Sequence, residues 1–200
     1  LTRIFAAAIN AVDPGAAIER FVHLSGDRLS ISDRTYDLKM YRRIALLGFG
    51  KGSLSMSTAL IGVLGVRLDS GLSVTKHTPV IPPLPFPILE GDHPVPGENS
   101  LQAGQRTIEL VSSLGPDDLL ICVISGGGSA LSTAPHPGIS LADIQQFTSL
   151  LLTCGARIDE INTLRRRLDR IKGGGIAQMT NGATIINLIL SDVVGNSLES

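Results

Sequence analysis

Short apolar runs recur along the chain, and the segments between them are long enough to hold a helix each. Runs of strand length lie at residues 43–48, 71–76, 86–90, 119–124 and 184–190. The fourth run, L-L-I-C-V-I, has no polar position, which is typical of a parallel strand covered on both faces. The pattern therefore predicts a largely buried sheet.

Between the predicted strands, apolar residues recur at the three- and four-residue spacing of helices. This spacing predicts helices over residues 53–64, 101–114, 141–151 and 158–171. Strands that alternate with helices form right-handed βαβ units. We therefore expect an α/β fold of three layers, in which a mainly parallel sheet lies between two layers of helices.

Three segments do not follow this alternation. Residues 1–24 have helical spacing that is interrupted near residues 13–15, and residues 25–40 are polar, which predicts a loop or a hairpin. Residues 78–87 contain five prolines, so this stretch forms neither a helix nor a central strand.

Composition narrows the classes of function. The chain has 200 residues, of which 43% are hydrophobic, so it can bury a core. A net charge of −1 and only 4% aromatic residues argue against a nucleic-acid platform. No run reaches the roughly 18 apolar residues of a membrane span, and two cysteines are too few for a four-thiolate zinc site. We expect a cytoplasmic protein without nucleic-acid or membrane partners.

Candidate chemistry lies where predicted strands end, because ligands of open parallel sheets bind beyond the carboxyl ends of the strands. Residues 48–51 (G-F-G-K), here named the first glycine turn, follow one strand. Residues 125–129 (S-G-G-G-S), named the second glycine turn, follow another, and Ser191 and Asp192 follow the last. All three segments are therefore expected at one edge of the sheet.

The first glycine turn ends on a cation at the start of a predicted helix. Glycine lets the backbone turn sharply beside a ligand, and a helix N-terminus carries partial positive charge. Lys51 is unfavourable there unless an anion compensates it, which predicts a bound phosphate or carboxylate. The alternative is an ordinary strand-to-helix turn with a solvated lysine, and the spacing is not that of a P-loop.

The second glycine turn places three adjacent glycines between two hydroxyl residues and contains no acid. Ordering three glycines costs about 0.5–1 kcal/mol each relative to alanine, which a simple turn does not require. Such a segment favours a nest of backbone N–H donors around an anion. The alternative is a flexible connector.

Two further features are ambiguous. Asp192 ends an apolar strand, as does the acid that helps to hold Mg²⁺ in many enzymes of nucleotide phosphates, but it could equally cap the next turn. The run K-G-G-G at residues 172–175 follows the basic residues 165–167 and Arg170, and together they could hold phosphates. The alternative is a solvated helix face that Asp159, Glu160 and Asp169 partly neutralise.

Eight segments, in this order along the chain, resemble the motifs of the glycerate 2-kinases, also called the MOFRL-type glycerate kinases. The similar segments are residues 48–51 (G-F-G-K), 92–96 (D-H-P-V-P), 125–131 (S-G-G-G-S-A-L), 137–141 (P-G-I-S-L), 155–158 (G-A-R-I), 160–165 (E-I-N-T-L-R), 171–174 (I-K-G-G) and 191–195 (S-D-V-V-G). The chain departs from the family's usual residues at Gly97 and Asn196, where an acid is common, and at residues 165–169, where it has R-R-R-L-D and the family commonly has R-K-H-L-S.

The resemblance implies ATP-dependent phosphorylation of D-glycerate to 2-phosphoglycerate with Mg²⁺. It also implies a Rossmann-like large domain, for which residues 1–200 would account, and a C-terminal domain that this chain lacks. The active site would lie between the two domains, and a homodimer is a further expectation.

The resemblance and the residues together give a set of candidate roles. Lys51 is the expected catalytic lysine and would stabilise the transferring phosphoryl group. The expected binding residues for phosphate or for the carboxylate of glycerate are Ser125, Gly126, Gly127, Gly128, Ser129, Asn162, Arg165 and Lys172. Asp192 would support Mg²⁺ or orient the substrate hydroxyl.

Two other functions stay open at this point. One is a phosphate- or nucleotide-binding module without turnover, which the chain would be if it is only part of an enzyme. The other is an NAD(P)-dependent hydroxypyruvate reductase. The glycines at 48, 50 and 52 do not have the G-x-G-x-x-G spacing of a dinucleotide-binding turn, and the next predicted strand ends in T-K rather than in an acid, which argues against the reductase.

Overall fold

A computed structural model describes residues 3–4 and 11–191 of the chain. Its centre is a five-stranded sheet in the order β6-β5-β4-β7-β8, and all four pairings are parallel. The strands are β4 (Arg43–Phe49), β5 (Ser70–Lys76), β6 (Ile88–Gly91), β7 (Asp118–Ser125) and β8 (Thr184–Leu190). A separate antiparallel sheet contains β1 (Val22–Ser25), β2 (Arg28–Ile31) and β3 (Arg34–Asp37).

Seven helices accompany the strands in the described residues. They are α1 (Pro14–Phe21), α2 (Ser53–Leu64), α3 (Glu98–Ser112), α4 (Gly128–Leu131), α5 (Leu141–Thr153), α6 (Ile158–Leu168) and α7 (Gly175–Met179). Short 3-10 turns lie at Leu38–Met40 and Gly65–Arg67. Within the described ranges, no helix is both long enough and apolar enough to cross a membrane.

Side chains alternate between the two faces of the central sheet and bury one apolar core on each. On one face, Leu46 of β4 and Ile121 of β7 pack with Leu60 of α2. On the other face, Leu47 and Cys122 pack in the core that contains α3. These two cores confirm the predicted α/β fold, in which a parallel sheet lies between two helical layers.

The prediction for the N-terminal part was wrong in one place: residues 22–24 belong to strand β1 rather than to a helix. The hairpin predicted within residues 25–40 is confirmed by the antiparallel pair of β2 and β3, and β1 adds a third strand to it. The turns use positive φ angles at Gly26 (59°) and Ser32 (51°), and Leu29 is fully buried although its neighbours are polar. The strands β1 and β2 each bury one residue and β3 buries none, which is too weak a periodicity to read from the sequence.

Candidate anion-binding cleft

The first glycine turn uses its backbone N–H groups inside the protein. The amide of Gly50 donates to the Val74 carbonyl at 3.1 Å, and the amide of Lys51 donates to the Gly126 carbonyl at 3.0 Å. The next amide, that of Gly52, donates to Ser125 Oγ at 2.8 Å. The first glycine turn is therefore fastened to the second and has no amide left for an anion.

Glycine is required at position 50 because the two turns lie so close. Its φ is +107°, a region that favours glycine, and a Cβ there would lie 2.3 Å from the Ser125 carbonyl oxygen. Ser125 completes the junction, since its hydroxyl accepts from Gly52 and donates to the Phe49 carbonyl at 3.5 Å. The predicted ligand role of Ser125 thus competes with a structural role.

Lys51 crosses from the first glycine turn to the second. It precedes α2, and its aliphatic chain lies over Gly127, where an added Cβ would be 3.0 Å from Lys51 Cε. The residue is exposed and also lines a groove of about 1010 Å³ beside α1, α2 and the end of β5. Its side chain therefore lies between that groove and the second glycine turn.

The second glycine turn keeps amides unused. Gly127 has φ +87° and stands at the N-cap of the short α4, so that the amides of Gly128 and Ser129 begin a helix. Among the residues that the structure describes, the amides of Gly127, Gly128 and Ser129 donate to no protein acceptor. They are only partly buried, so a ligand can reach them.

These amides face a cleft of about 450 Å³ at the carboxyl ends of β4 and β7. Eight of the predicted site residues line this cleft, namely Ser125, Gly126, Gly127, Gly128, Ser129, Asn162, Arg165 and Lys172. The predicted catalytic residue, Lys51, borders the cleft through its contact with Gly127. Asp192, the predicted magnesium ligand, lies outside the described residues.

Arg165 carries an uncompensated charge into the cleft. Its side chain is half-buried, and desolvation lowers the pKa of its guanidinium, which nonetheless stays protonated. Within residues 11–191 it has no hydrogen-bond or ion-pair partner. A desolvated guanidinium without an acid favours a ligand carboxylate or phosphate.

Lys172 lines the cleft with most of its side chain enclosed. Its ammonium donates to the Ser132 carbonyl at 3.0 Å and pairs with the carboxylate of Asp169. Burial lowers the pKa of Lys172, and the carboxylate of Asp169 opposes that shift. Asp169 is itself buried, which contradicts the alternative in which it belongs to a solvated helix face.

Within the described residues, neither acid in the first turn of α6 pairs with Arg165. Asp159 pairs with Arg157 at 3.1 Å, and Glu160 accepts from the Arg157 amide at 2.9 Å. Desolvation by the surrounding protein, followed by the charges of Lys51, Lys76 and Arg165, lowers the pKa of nearby His93. Among the described residues that line the cleft, Arg165, Arg166 and Lys172 are cationic and none is acidic, so the lining carries net positive charge.

The cleft combines three kinds of anion-binding group: unused amides, an unpaired guanidinium and a nearby lysine. Such a set can hold phosphate or carboxylate in one orientation. Within the described part of the chain, no three His, Cys, Asp or Glu side chains lie together as metal ligands. The sequence reasoning missed Asp169, whose only signal is its spacing of three residues from Lys172, and Ser132, which carried none.

The fold and the cleft define an α/β protein with a positively charged site at the carboxyl edge of its parallel sheet. A family model described as a domain of unknown function (DUF4147) matches residues 1–200, and the chain belongs to this family. The expected relationship to glycerate 2-kinases is confirmed: the chain is 42% identical, over 78% of its length, to a D-glycerate 2-kinase of Thermotoga maritima.

A solved structure agrees with the relationship. The fold superposes on the crystal structure of a glycerate kinase from Thermotoga maritima with a TM-score of 0.82 and 37% sequence identity. The superposition covers 98% of this chain and 44% of the Thermotoga maritima chain. The chain also matches a provisionally named hydroxypyruvate reductase of Agrobacterium vitis, with 42% identity over 77% of this chain and 40% of that protein. The chain spans about two fifths of the length of the curated relatives it matches.

Proposed function

We propose that this chain forms the phosphate-handling part of an ATP-dependent D-glycerate 2-kinase. The observation that carries the proposal is the cleft lined by Arg165 and by the amides of Gly127, Gly128 and Ser129, all of which lack a partner within residues 11–191. The names of the related proteins supply the substrate class, since several are glycerate kinases or glycerate 2-kinases.

The reaction moves the terminal phosphoryl group of ATP to the 2-hydroxyl oxygen of D-glycerate and releases ADP and a proton. Catalysis of phosphoryl transfer depends mainly on positioning and on neutralising charge. Arg165 and the amides of the second glycine turn would bind one of the two anionic reactants, and Asn162 would add a hydrogen bond. Lys51, exposed beside that turn, would stabilise the transferring phosphoryl group.

Mg²⁺ does not fit the described residues of the cleft. Among the described residues, no carboxylate lines the cleft. The carboxylate of Asp169, which pairs with the cleft residue Lys172, also accepts the Thr133 hydroxyl and the Ile171 amide. A magnesium ligand would have to come from elsewhere, and Asp192 stays the candidate. A second domain across the cleft and a cytoplasmic location stay predictions.

A coupled assay of ADP release from ATP and D-glycerate by the complete protein tests the function. We expect turnover in the wild type, and we expect Arg165→Gln to raise KM for the anion that it binds about 10- to 100-fold, because a charge-assisted hydrogen bond is worth about 1.5–3 kcal/mol. Arg167→Gln, a change on the same helix outside the cleft lining, is the matched control. Absence of turnover in the wild type would refute the proposal.

Hydroxypyruvate reduction is the second candidate, because a relative carries that name. The fold does not favour it, since β5 ends at Lys76, where a dinucleotide-binding protein places an acid for the ribose. Consumption of NADH in the presence of hydroxypyruvate, measured by absorbance, distinguishes the two reactions.

A further inference from the structure

Asp169 is held more firmly than a solvent-facing acid requires. It is only 3% exposed, and its carboxylate accepts the Thr133 hydroxyl at 2.7 Å and the Ile171 amide at 3.0 Å. The backbone on both sides is also fixed: the Arg170 amide donates to the Ala134 carbonyl at 2.8 Å, and the His136 amide donates to the Leu168 carbonyl at 3.0 Å. The carboxylate therefore has a fixed position below the cleft.

The ammonium of Lys172 is attached to this carboxylate and still reaches the cleft. Of its three N–H donors, one goes to the Ser132 carbonyl and one to Asp169. The third has no acceptor among the described residues. The side chain keeps 14% of its surface exposed and lines the cleft together with the second glycine turn.

We propose that Asp169 is a positioning residue, which holds Lys172 charged and oriented so that its remaining N–H meets an anion bound at the second glycine turn. This role rests on the proposed kinase function. Asp169 touches no substrate itself and acts through Lys172.

The charges around Lys172 explain why the carboxylate matters. Asp169 and Arg165 are the charged groups that face the ammonium, and Arg166 lines the same cleft. Burial and Arg165 both lower the pKa of Lys172, and Asp169 alone raises it. A neutral residue at position 169 would remove the one nearby charge that favours the ammonium, and it would leave the burial and the Arg165 charge that favour the uncharged amine.

The test compares the pH dependence of kcat/KM in the complete protein for the wild type, Asp169→Asn and Asp169→Ser. In both variants, we expect the alkaline decrease of kcat/KM to begin about one pH unit or more lower than in the wild type. At alkaline pH, kcat/KM should be about tenfold below the wild-type value, and this difference should disappear towards neutral pH. The ¹³Cε resonance of Lys172, assigned by its loss in Lys172→Arg, should titrate at correspondingly lower pH. Asp159→Asn, at an exposed ion pair of α6, should leave both unchanged.

A double-mutant cycle with Lys172→Met separates positioning from folding. If Asp169 acts through Lys172, adding Asp169→Asn to Lys172→Met should change kcat/KM less than about twofold, whatever it does to thermal stability. Wild-type turnover with an alkaline limb that stays in place in both Asp169 variants would overturn the role of Asp169 alone. A wild type without glycerate-dependent ADP release would overturn the proposed function and this role together.

Discussion

The two glycine turns look alike in the sequence and differ in what their backbones do. In the first, the amides of Gly50 and Lys51 donate hydrogen bonds to the carbonyls of Val74 and Gly126. The backbone of this turn is therefore fixed, and the only cation that it carries is Lys51. In the second, the amides of Gly127, Gly128 and Ser129 have no acceptor among the described residues and open onto a positively charged cleft. A glycine-rich turn at a strand end can therefore bind an anion only where its backbone amides have no hydrogen-bond acceptor within the protein.

The largest expected effect comes from the lysine that the first turn presents. Lys51→Ala in the complete protein should lower kcat for glycerate phosphorylation about 10²- to 10³-fold, as does the loss of other groups that stabilise transition-state charge. Thermal stability should change little, because Lys51 is exposed. Steady-state kinetics and a melting curve measure both quantities.

Lys39→Ala is the control for this prediction. Lys39 is also an exposed lysine, with 74% of its side chain accessible, and it pairs with Asp27 away from the cleft. Its loss should leave kcat at the wild-type value. If Lys51→Ala behaves like Lys39→Ala, the first turn presents no catalytic group.

The next largest effect is expected on stability, from a substitution that disrupts the close contact between the two glycine turns. Gly50→Ala places a Cβ against the Ser125 carbonyl, whereas Gly138→Ala, at a similar φ of +89°, places one in open space. The shared backbone strain costs about 1–2 kcal/mol, and the clash at position 50 should add about 1–3 kcal/mol. Denaturant unfolding of the pair measures the difference, and equal destabilisation would show that the turns are not in contact.

The two serines of the second turn should separate stability from binding. Ser125→Ala leaves the Gly52 amide without its acceptor and should lower the free energy of unfolding by about 1–3 kcal/mol. Ser129→Ala removes a hydroxyl that lines the cleft and has no protein partner in the described ranges, so it should change stability by less than about 0.5 kcal/mol.

The kinetic consequences of these two substitutions should have the opposite order. We expect Ser129→Ala to raise KM several-fold and Ser125→Ala to affect it less, when rates are expressed per folded molecule. If Ser125→Ala raises KM more than Ser129→Ala does, Ser125 binds the ligand directly.

Apolar periodicity was sufficient to predict the central fold. The run at residues 119–124 lies within β7 (Asp118–Ser125), and the run at 184–190 has the bounds of β8. The sequence also placed the candidate site residues at one edge of the sheet, because the carboxyl ends of parallel strands all lie at that edge. The strand β1 was predicted as helix, and β2 and β3 were predicted only as one of two alternatives, because each strand is four residues long and at least half polar.

Hydrogen-bond partners could not be predicted in the same way. Whether the amide of Gly52 meets Ser125 or a ligand depends on how two segments 73 residues apart pack. The burial of Asp169 depends on the bridge between its backbone and Pro135, which no local pattern signals. Residue types therefore predicted the neighbourhood of the site, and tertiary contacts decide which groups in it remain free to bind.

Titration of the complete protein, labelled with ¹⁵N-glycine, tests the difference between the turns most directly. The amide resonances of Gly50, Gly52, Gly127 and Gly128 can each be assigned by substitution and followed as inorganic phosphate or D-glycerate is added in separate experiments. We predict that Gly127 and Gly128 shift with a saturating dependence on one of these anions and that Gly50 and Gly52 shift far less. Saturating shifts confined to Gly50 and Gly52, or no saturating shift at Gly127 and Gly128 with either anion, would contradict the account.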